Sequence, residues 1–190
     1  MVSDPRQRLR DRLRARRKAL DARTRMAAAE AVAAALRPSL AGHVAGYWAV
    51  DGELPLLGLL RGPVSFIYCL PVLQPGRRLR FGPWQPGQPL VRNRYGIPEP
   101  DLPPQALLEP EQMDHVLLPL TGFDDRGHRL GMGGGYYDRS FAFRRASAPP
   151  PRLIGIGYAC QRVEALPVAE WDVPLDLVVT EQGVQVPRRG

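Results

Sequence analysis

The chain has 190 residues, 44% of them hydrophobic and 24% charged, proportions that exclude a disordered chain and a bundle of membrane helices. Its net charge of +7 resides in residues 1–25, which hold ten basic and three acidic residues. The rest of the chain is neutral, so a polyanionic partner would be met by this end alone.

The cysteines and the start of the chain exclude further classes. Cys69 and Cys160 stand far apart, without the spacing of a disulfide framework or a zinc finger, and the three histidines show no ligand spacing either. The first residues are charged and contain no apolar signal-peptide core, and the alanine-rich run 27–36 is too short to cross a bilayer. We therefore expect a cytoplasmic protein with no membrane partner.

The first part of the chain predicts two helices and a strand. Leucines on one face, surrounded by arginines, predict a helix from Pro5 to Leu20. Asp21 is the expected N-cap of a second helix, Ala22 to Leu36. Val44 to Ala49 predicts a short strand, and Pro55 to Leu60 predicts a brief helix.

The middle of the chain alternates between strands and prolines. Ser65 to Leu70 predicts a buried strand that Pro71 ends, and Leu79 to Phe81 predicts a short one. Residues 82–110 are rich in proline but also carry aromatic side chains, which disordered linkers usually lack. We interpret them as an ordered excursion from a single domain that comprises residues 1–190.

The last part of the chain completes the pattern. His115 to Leu120 predicts a strand, followed by a loop from Thr121 to Gly135 and a helix from Tyr136 to about Arg145. Leu153 to Tyr158 and Leu177 to Thr180 predict two more strands. Apolar strands separated by helices predict a layered α/β fold with a largely parallel sheet.

Residues 129–138, Arg-Leu-Gly-Met-Gly-Gly-Gly-Tyr-Tyr-Asp, form the most informative segment. Closely spaced glycines expose backbone N–H groups, and such a loop leading into a helix can hold phosphate oxygens. The segment is neither a P-loop nor a dinucleotide-binding turn, and a flexible turn is the simpler interpretation. Against that interpretation, Arg129 can bind phosphate bidentately, the tyrosines offer a stacking surface and Asp138 can hold magnesium.

The arginine-rich first helix has two interpretations. It can be a solvated helix face, or it can bind nucleic acid, for which clustered arginine is typical. No aromatic residues interleave with the arginines, and no helix-turn-helix, zinc or RNA-recognition pattern follows. Glu53 and Asp172 also have structural interpretations, as a partner of a helix dipole and as a turn residue.

In order along nearly the whole chain, these segments resemble the 5-formyltetrahydrofolate cyclo-ligase family. The resemblance is carried by Leu9, Arg10, Arg17 and Leu20, by residues 96–100, 118–124, 127 and 129–138, and by Gln161, residues 172–176, Thr180 and Glu181. It implies a Rossmann-like three-layer sandwich with a largely parallel sheet and an arginine-rich N-terminal helix. It also implies ATP-dependent cyclisation of 5-formyltetrahydrofolate to 5,10-methenyltetrahydrofolate through phosphorylation of the formyl oxygen. We expect a monomer that uses ATP and Mg²⁺ and binds no nucleic acid.

The resemblance also implies roles for individual residues. The catalytic residues would be Arg10, Arg129 and Tyr136. The ATP site would comprise Arg6, Arg10, Arg129, Leu130, Gly131, Met132, Gly133, Gly134, Gly135, Tyr136 and Tyr137. The folate site would comprise Arg10, Trp48, Glu53, Met132, Gly133, Gly134, Gly135 and Tyr136. The magnesium ligands would be Asp138 and Asp172.

The chain departs from the family pattern at three positions. Arg6 stands where many members have lysine, Gly134 stands where some have lysine, and Leu56 stands where threonine is usual. The first change keeps the charge but alters its geometry, and the second removes a charge from the loop. None of these changes removes a group that the implied mechanism needs. Because fold and partial site similarity do not fix the substrate, a paralogue that has lost the activity or acts on another substrate is an alternative, as is a nucleic-acid-binding protein that uses the arginine-rich helix.

Overall fold

The structure is a computed structural model that describes residues 4–188, so residues 1–3, which belong to the start used above to exclude a signal peptide, lie outside it. The α-helices are α1 (Pro5–Lys18), α2 (Ala22–Leu36) and α3 (Tyr136–Ser140). The strands are β1 (Gly42–Ala45), β2 (Phe66–Gln74), β3 (Arg78–Pro83), β4 (Leu90–Arg92), β5 (Pro98–Pro100), β6 (His115–Pro119), β7 (Gly122–Phe123), β8 (Arg129–Leu130), β9 (Arg152–Ile156), β10 (Leu177–Thr180) and β11 (Gly183–Gln185).

Seven strands form the central sheet in the order β11-β10-β9-β6-β1-β2-β3. The five inner strands, β10 to β2 in this order, pair in parallel. The two edge strands, β3 and β11, pair antiparallel with their neighbours. The predicted α/β fold with a largely parallel sheet is therefore confirmed, and the structure adds an antiparallel strand at each edge.

Both faces of the sheet are buried, which explains why its strands are continuously apolar. Leu117 and Ile154 point toward the side of the sheet that α2 covers. Val116 and Leu118 point to the opposite side and pack with Phe141, which directly follows α3. Successive residues of one strand thus contribute to two separate apolar clusters, and the sheet is the middle of three layers.

The first two helices begin at aspartate caps. Asp4 accepts a hydrogen bond from the backbone of Arg6 at the start of α1, and Asp21 accepts one from Thr24 at the start of α2. The bounds of α2 and its N-cap agree with the prediction. Helix α1 ends at Lys18, two residues earlier than predicted.

The prediction that Pro71 ends the second strand was wrong, because β2 continues to Gln74. Pro71 lies opposite Phe81 of β3, and both backbone hydrogen-bonding groups of Phe81 are directed away from β2, toward Leu108. At such a position the missing N–H of proline removes no hydrogen bond from the ladder. The pairing of β2 with β1 has already ended at Cys69, so that side also requires no N–H.

Other elements also differ from the prediction: β3, β6 and β9 differ by one or two residues at their ends, and the predicted loop at residues 121–135 contains β7 and β8. Strand β1 spans Gly42–Ala45 rather than residues 44–49, and the predicted helix at residues 55–60 is a 3-10 turn at Leu57–Leu60. The predicted helix at residues 136–145 breaks at Phe141, whose φ of −111° and ψ of 22° are not helical, and a 3-10 turn follows. The proline-rich excursion is ordered as predicted, and β4 and β5 form a hairpin in it. In the part of the chain that the structure describes, no helix is both long and apolar enough to span a bilayer.

Candidate active site

The segment of residues 129–138, here called the glycine motif, begins in β8, the second strand of the β7–β8 hairpin, and continues into the first turn of α3. Gly133 and Gly135 have φ angles of 93° and 68°, in the left-handed region that favours glycine. A Cβ atom at Gly134 would lie only 2.9 Å from the ring of Tyr136. The backbone path therefore favours glycine at positions 133 and 135, and no Cβ atom shields the amide groups of Gly133, Gly134 and Gly135.

Two arginines one helical turn apart on α1 reach this region. Arg10 donates from Nε to the carbonyl oxygen of Gly131 at 3.0 Å, and its guanidinium carbon is 3.5 Å from where a Cβ of Gly133 would be. Arg6 forms an ion pair with Asp172, with 3.0 Å between Nη1 and Oδ2. The structure thus places the two predicted phosphate-binding arginines beside the motif and beside one predicted magnesium ligand.

The second predicted magnesium ligand, Asp138, lies in the first turn of α3. Arg129 donates from Nη2 to Oδ1 of Asp138, and the backbone N–H of Val173 donates to the same oxygen at 3.2 Å. Because Val173 follows Asp172 in the chain, this bond links the segments that carry the two aspartates. Each aspartate is therefore held by one of the predicted ATP-binding arginines.

The same region contains a cavity of about 290 Å³, lined by Arg129, Asp172 and neighbouring residues of the segment 168–174. Within residues 4–188, the buried Nε atoms of Arg6 and Arg129 have no hydrogen-bond partner. An unpaired buried donor costs free energy, so an anionic oxygen that accepts a hydrogen bond from it is favoured. These donors fit a site for phosphate.

The donor set also fits a magnesium ion bound together with a nucleotide. No three His, Cys, Asp or Glu side chains of the described residues cluster as a complete metal site. Mg²⁺ does not need such a cluster, because one or two carboxylates usually hold it together with substrate phosphates and water. Asp138 and Asp172 supply that number and type of ligand.

The loop after β1 carries the two predicted folate residues outside the motif and α1. Glu53 is 8% exposed, and its Oε2 accepts a hydrogen bond from the backbone of Val50 at 3.0 Å. Burial raises the pKa of Glu53 to about 7, although the Val50 hydrogen bond and the charge of Arg17 oppose the shift. Trp48 packs edge-on against Trp84, with ring centroids 6.0 Å apart. A buried carboxyl group with a raised pKa thus lies in the same loop as Trp48, whose ring packs against Trp84 directly after β3.

Glu53 also lies close to the glycine motif. Burial raises the pKa of Tyr137, and the negative charge of Glu53 raises it further. The same two causes, in the same order, raise the pKa of Tyr47. The predicted folate residues and the predicted ATP loop therefore share one region beyond the carboxyl ends of β1 and β6, where open α/β sheets bind their ligands.

Two residues of the motif differ sharply in exposure. Leu130 is fully buried and packs against Leu13 of α1, so its backbone alone is available to a ligand. Met132 is 51% exposed and its side chain is accessible. The predicted ATP-binding role of Leu130 is thus restricted to main-chain contacts.

The turn between β4 and β5 adds contacts that the sequence analysis missed. Arg94 donates to the hydroxyl of Tyr136, and the hydroxyl of Tyr95 shares a hydrogen bond with it at 3.1 Å. The bond with Tyr95, followed by that from Arg94, lowers the pKa of Tyr136. The aromatic content of the proline-rich excursion is the one sequence signal that pointed to these residues, because nothing in the local pattern connects them to Tyr136.

Part of the basic charge of α1 is used inside the molecule. Arg14, Arg17 and Lys18 all form ion pairs with Asp51. Other basic residues of the helix are exposed, as a solvated face requires: Arg8, Arg12 and Arg16. The charge concentrated at this end therefore has partners that do not involve nucleic acid.

Comparisons with known proteins point to one family. The sequence profile of the 5-formyltetrahydrofolate cyclo-ligase family matches residues 2–181. The 5-formyltetrahydrofolate cyclo-ligase of Escherichia coli (strain K12) is 41% identical over 150 residues, which cover 76% of this chain and 81% of that protein. The protein of the same name from Haemophilus influenzae is 39% identical over 145 residues, covering 73% and 76%. Among solved structures, 5,10-methenyltetrahydrofolate synthetase from Aquifex aeolicus matches with a TM-score of 0.78 and 31% identity, covering 97% of this chain and 94% of that one.

Proposed function

The chain belongs to the 5-formyltetrahydrofolate cyclo-ligase family, and from this premise we propose that it converts 5-formyltetrahydrofolate and ATP to 5,10-methenyltetrahydrofolate, ADP and phosphate. The observation that carries the proposal is the meeting of two sets of residues. The glycine motif with its arginines and aspartates suits a nucleotide, and it lies next to Glu53, whose carboxylate suits the donor nitrogens of a pterin.

The reaction requires that a poor leaving group be made a good one. The formyl oxygen attacks the γ-phosphorus of ATP, and the bond from that phosphorus to ADP breaks. N10 then attacks the formyl carbon and loses its proton, the carbon–oxygen bond breaks, and phosphate leaves with the original formyl oxygen. The protein mainly has to align the two substrates and neutralise charge on the phosphates.

We assign the phosphate groups of ATP to the glycine motif and to Arg6, Arg10 and Arg129. The backbone from Gly131 to Gly135 offers N–H donors, and the exposed Met132 and the tyrosines border it. One guanidinium group can donate hydrogen bonds to two phosphate oxygens at once, and this stabilises the charge that develops as the phosphoryl group is transferred. Arg10 and Arg129 therefore serve as catalytic residues, with Tyr136 placed beside the reacting groups.

We propose that Asp138 and Asp172 hold the Mg²⁺ ion that accompanies ATP. When bound, such an ion neutralises phosphate charge. Arg129 and Arg6 orient the two carboxylates through hydrogen bonds, as groups next to metal ligands commonly do.

The folate is assigned to Glu53 and Trp48 on one side and to Arg10 and residues 132–136 on the other. The ionised Glu53 carboxylate accepts hydrogen bonds from the pterin ring better than the protonated group does, because protonation turns one of its oxygens into a donor. The Trp48 ring offers an aromatic surface, which its edge-on contact with Trp84 supports from behind.

The test uses the purified chain with MgATP and 5-formyltetrahydrofolate and follows the near-ultraviolet absorbance of the methenyl product. We expect product only when both substrates are present, with one ADP formed per product. Absence of product, which an inactive or substrate-shifted paralogue would show, contradicts the proposal, and so does product without ATP.

We also propose that the whole chain forms a single cytoplasmic catalytic domain that acts as a monomer on small-molecule substrates. Part of the charge of the basic end is paired within the molecule, because Asp51 and Asp172 form ion pairs with residues of α1. A nucleic-acid-binding protein would instead bind duplex or single-stranded probes with an affinity that falls steeply as salt is raised. Sedimentation of the free chain and a salt titration with such probes test both statements.

A further inference from the structure

The turn that carries Glu53 has an unusual backbone. Asp51 and Gly52 both have positive φ angles, 52° and 80°, and the backbone N–H of Glu53 donates to the carbonyl oxygen of Val50 at 2.9 Å. Aspartate is one of the few residues with a side chain that tolerates this region. The Glu53 carboxylate in turn accepts a hydrogen bond from the backbone of Val50. The orientation of Glu53 therefore depends on how this turn is held.

The turn is held by α1 through Asp51. Arg14 and Arg17 donate to its Oδ2 at 2.7 and 3.0 Å, and Lys18 contacts its Oδ1. Arg17 also donates from Nε to the backbone oxygen of Asp51 at 3.1 Å. Arg14 and Lys18 hold the pKa of Asp51 well below its usual range, the hydrogen bond from Arg14 being the largest cause. The carboxylate of Asp51 thus connects the loop after β1 to three basic residues on one face of α1.

Arg17 connects this turn to the strand that leads into the glycine motif. Its side chain is fully buried, and Nη1 donates to the carbonyl oxygen of Leu120, directly after β6, at 3.2 Å. Gln161, beyond the end of β9, donates to the same oxygen at 2.6 Å. A single guanidinium group therefore joins α1, the Glu53 turn and the segment that continues into the ATP loop.

We propose that Arg17 and Asp51 are positioning residues, which touch no substrate and hold Glu53 in the orientation that binds the folate. The proposal rests on the proposed function, because it takes Glu53 to be a folate residue. It gives the arginine-rich end of the chain a second task besides phosphate binding: the face of α1 that carries Arg14, Arg17 and Lys18 shapes the folate side of the site.

A purely structural role for the pair is the alternative. A buried ion pair is weak grounds for a gain in stability, because removal of two charges from water offsets much of their attraction. The chain offers a matched control at the amino ends of the parallel strands. Arg144 is also buried, donates to the carbonyl oxygen of Pro151 at 2.8 Å and forms an ion pair with Asp176 at 2.9 Å. Asp176 and Pro151 immediately precede β10 and β9, away from Glu53.

The experiment measures steady-state KM for 5-formyltetrahydrofolate and for ATP separately, at a temperature well below the melting point of each variant. For Asp51→Asn, which keeps the shape of the side chain and tolerates the same backbone, we expect the folate KM to rise about 10- to 100-fold, as small misplacements of binding groups do. The ATP KM should stay within about twofold. Arg17→Lys, which cannot reach both Asp51 and Leu120, should act in the same direction. Arg144→Lys should lower the melting temperature and leave both KM values unchanged.

Three further measurements keep the test decisive. Arg14→Gln removes the 2.7 Å hydrogen bond to Oδ2 of Asp51 from a partly exposed position and should fold even if Asp51→Asn does not; we expect its folate KM to rise about threefold. Equal increases of both KM values, or a lowered melting temperature with no change in either, overturn the proposal. If Glu53→Gln raises the folate KM while neither Asp51→Asn nor Arg14→Gln does, the positioning role alone fails. If the unaltered chain forms no methenyl product, the proposed function itself fails.

Discussion

Two buried arginines, Arg17 and Arg144, make closely similar contacts at opposite ends of the parallel strands. Arg17 lies at their carboxyl ends, the carboxyl edge of the sheet, and Arg144 lies at their amino ends, the amino edge. Each pairs with an aspartate and donates to a backbone carbonyl, Arg17 to Leu120 and Arg144 to Pro151. Arg17 works where β6 ends, and its aspartate belongs to the turn before Glu53. Arg144 works where β9 and β10 begin, and its aspartate is continuous with β10.

The difference between them lies in what the aspartate is attached to. The loops beyond the carboxyl ends of parallel strands surround the ligand site of an α/β sheet, and the loops at the amino ends mainly connect helices to strands. The same contacts are therefore expected to affect substrate binding at one edge and stability at the other. Four changes test this comparison, and their expected effects decrease in the order given.

The comparison is sharpest at Asp138, which Arg129 and the backbone of Val173 hold beside the glycine motif. Asp138→Asn removes the charge that we assign to magnesium binding and leaves Arg129 without its carboxylate. We expect kcat to fall about 10³-fold, equivalent to about 4 kcal/mol of transition-state stabilisation. The measurement is the initial rate of methenyl formation under saturating substrates.

The matched control for Asp138 is Asp125→Asn, in the surface pair with Arg162. This variant should keep kcat within about twofold, because exposed ion pairs contribute little. Near-normal turnover of Asp138→Asn would show that Asp138 is not a magnesium ligand. It would also remove the expected difference between this aspartate and the surface residue Asp125.

At the amino edge of the sheet, Arg144→Gln should act on stability alone. The change leaves Asp176 without the bidentate charge contact of Arg144, and breaking a buried pair costs about 3 kcal/mol or more. For a domain of this size that corresponds to a melting temperature about 6–12 °C lower. Calorimetry gives the shift, and a folate KM that changes together with it would contradict the comparison.

On the carboxyl edge, the pH dependence of folate use should depend on Glu53. Folding raises its pKa from about 4.5 to about 7, so the protonated form predominates in the free protein below pH 7. Because the neutral carboxyl group is the poorer acceptor for the pterin, kcat/KM for the folate should fall by up to about tenfold per pH unit below that value. Glu53→Gln should flatten this limb of the profile, while a limb that persists in the variant belongs to another group.

Asp21 takes part in neither of these arginine–aspartate contacts, and the smallest of the four effects is expected there. Asp21→Ala removes the N-cap bond to Thr24 at the start of α2. We expect a melting temperature lower by about 2–4 °C and unchanged kinetic constants. Asp21→Asn keeps the cap geometry and should restore most of the loss, so equal effects of the two variants would argue against capping as the cause.

Local patterns predicted the elements whose boundaries depend on nearby residues. The cap at Asp21 and the bounds of α2 follow from contacts within a few positions, and β10 follows from a short apolar run. The end of β2 did not follow, because whether Pro71 is tolerated depends on its partner Phe81 and not on its neighbours in sequence. The break of the predicted helix at Phe141 has the same character, since that ring is fully buried in the apolar cluster beneath the sheet.

The site divides in the same way. The glycine motif was found from sequence because a dense run of glycines is rare enough to be informative. The contact of Arg94 with Tyr136 and that of Arg17 with Asp51 were not found. Their partners are 42 and 34 residues apart, and no local spacing relates them.

The sequence by itself determined the alternation of helices and strands, the position of the glycine motif and the concentration of +7 at one end. Only the tertiary structure decided what that charge contacts. The order of the strands places β1 beside β6, and Arg17 of α1 contacts the loops after both of them. In the loop after β1, Asp51 pairs with Arg14, Arg17 and Lys18, and in the segment before β10, Asp172 pairs with Arg6. Such pairings depend on which distant segments the sheet brings together, and the physical chemistry of neighbouring residues does not encode that choice.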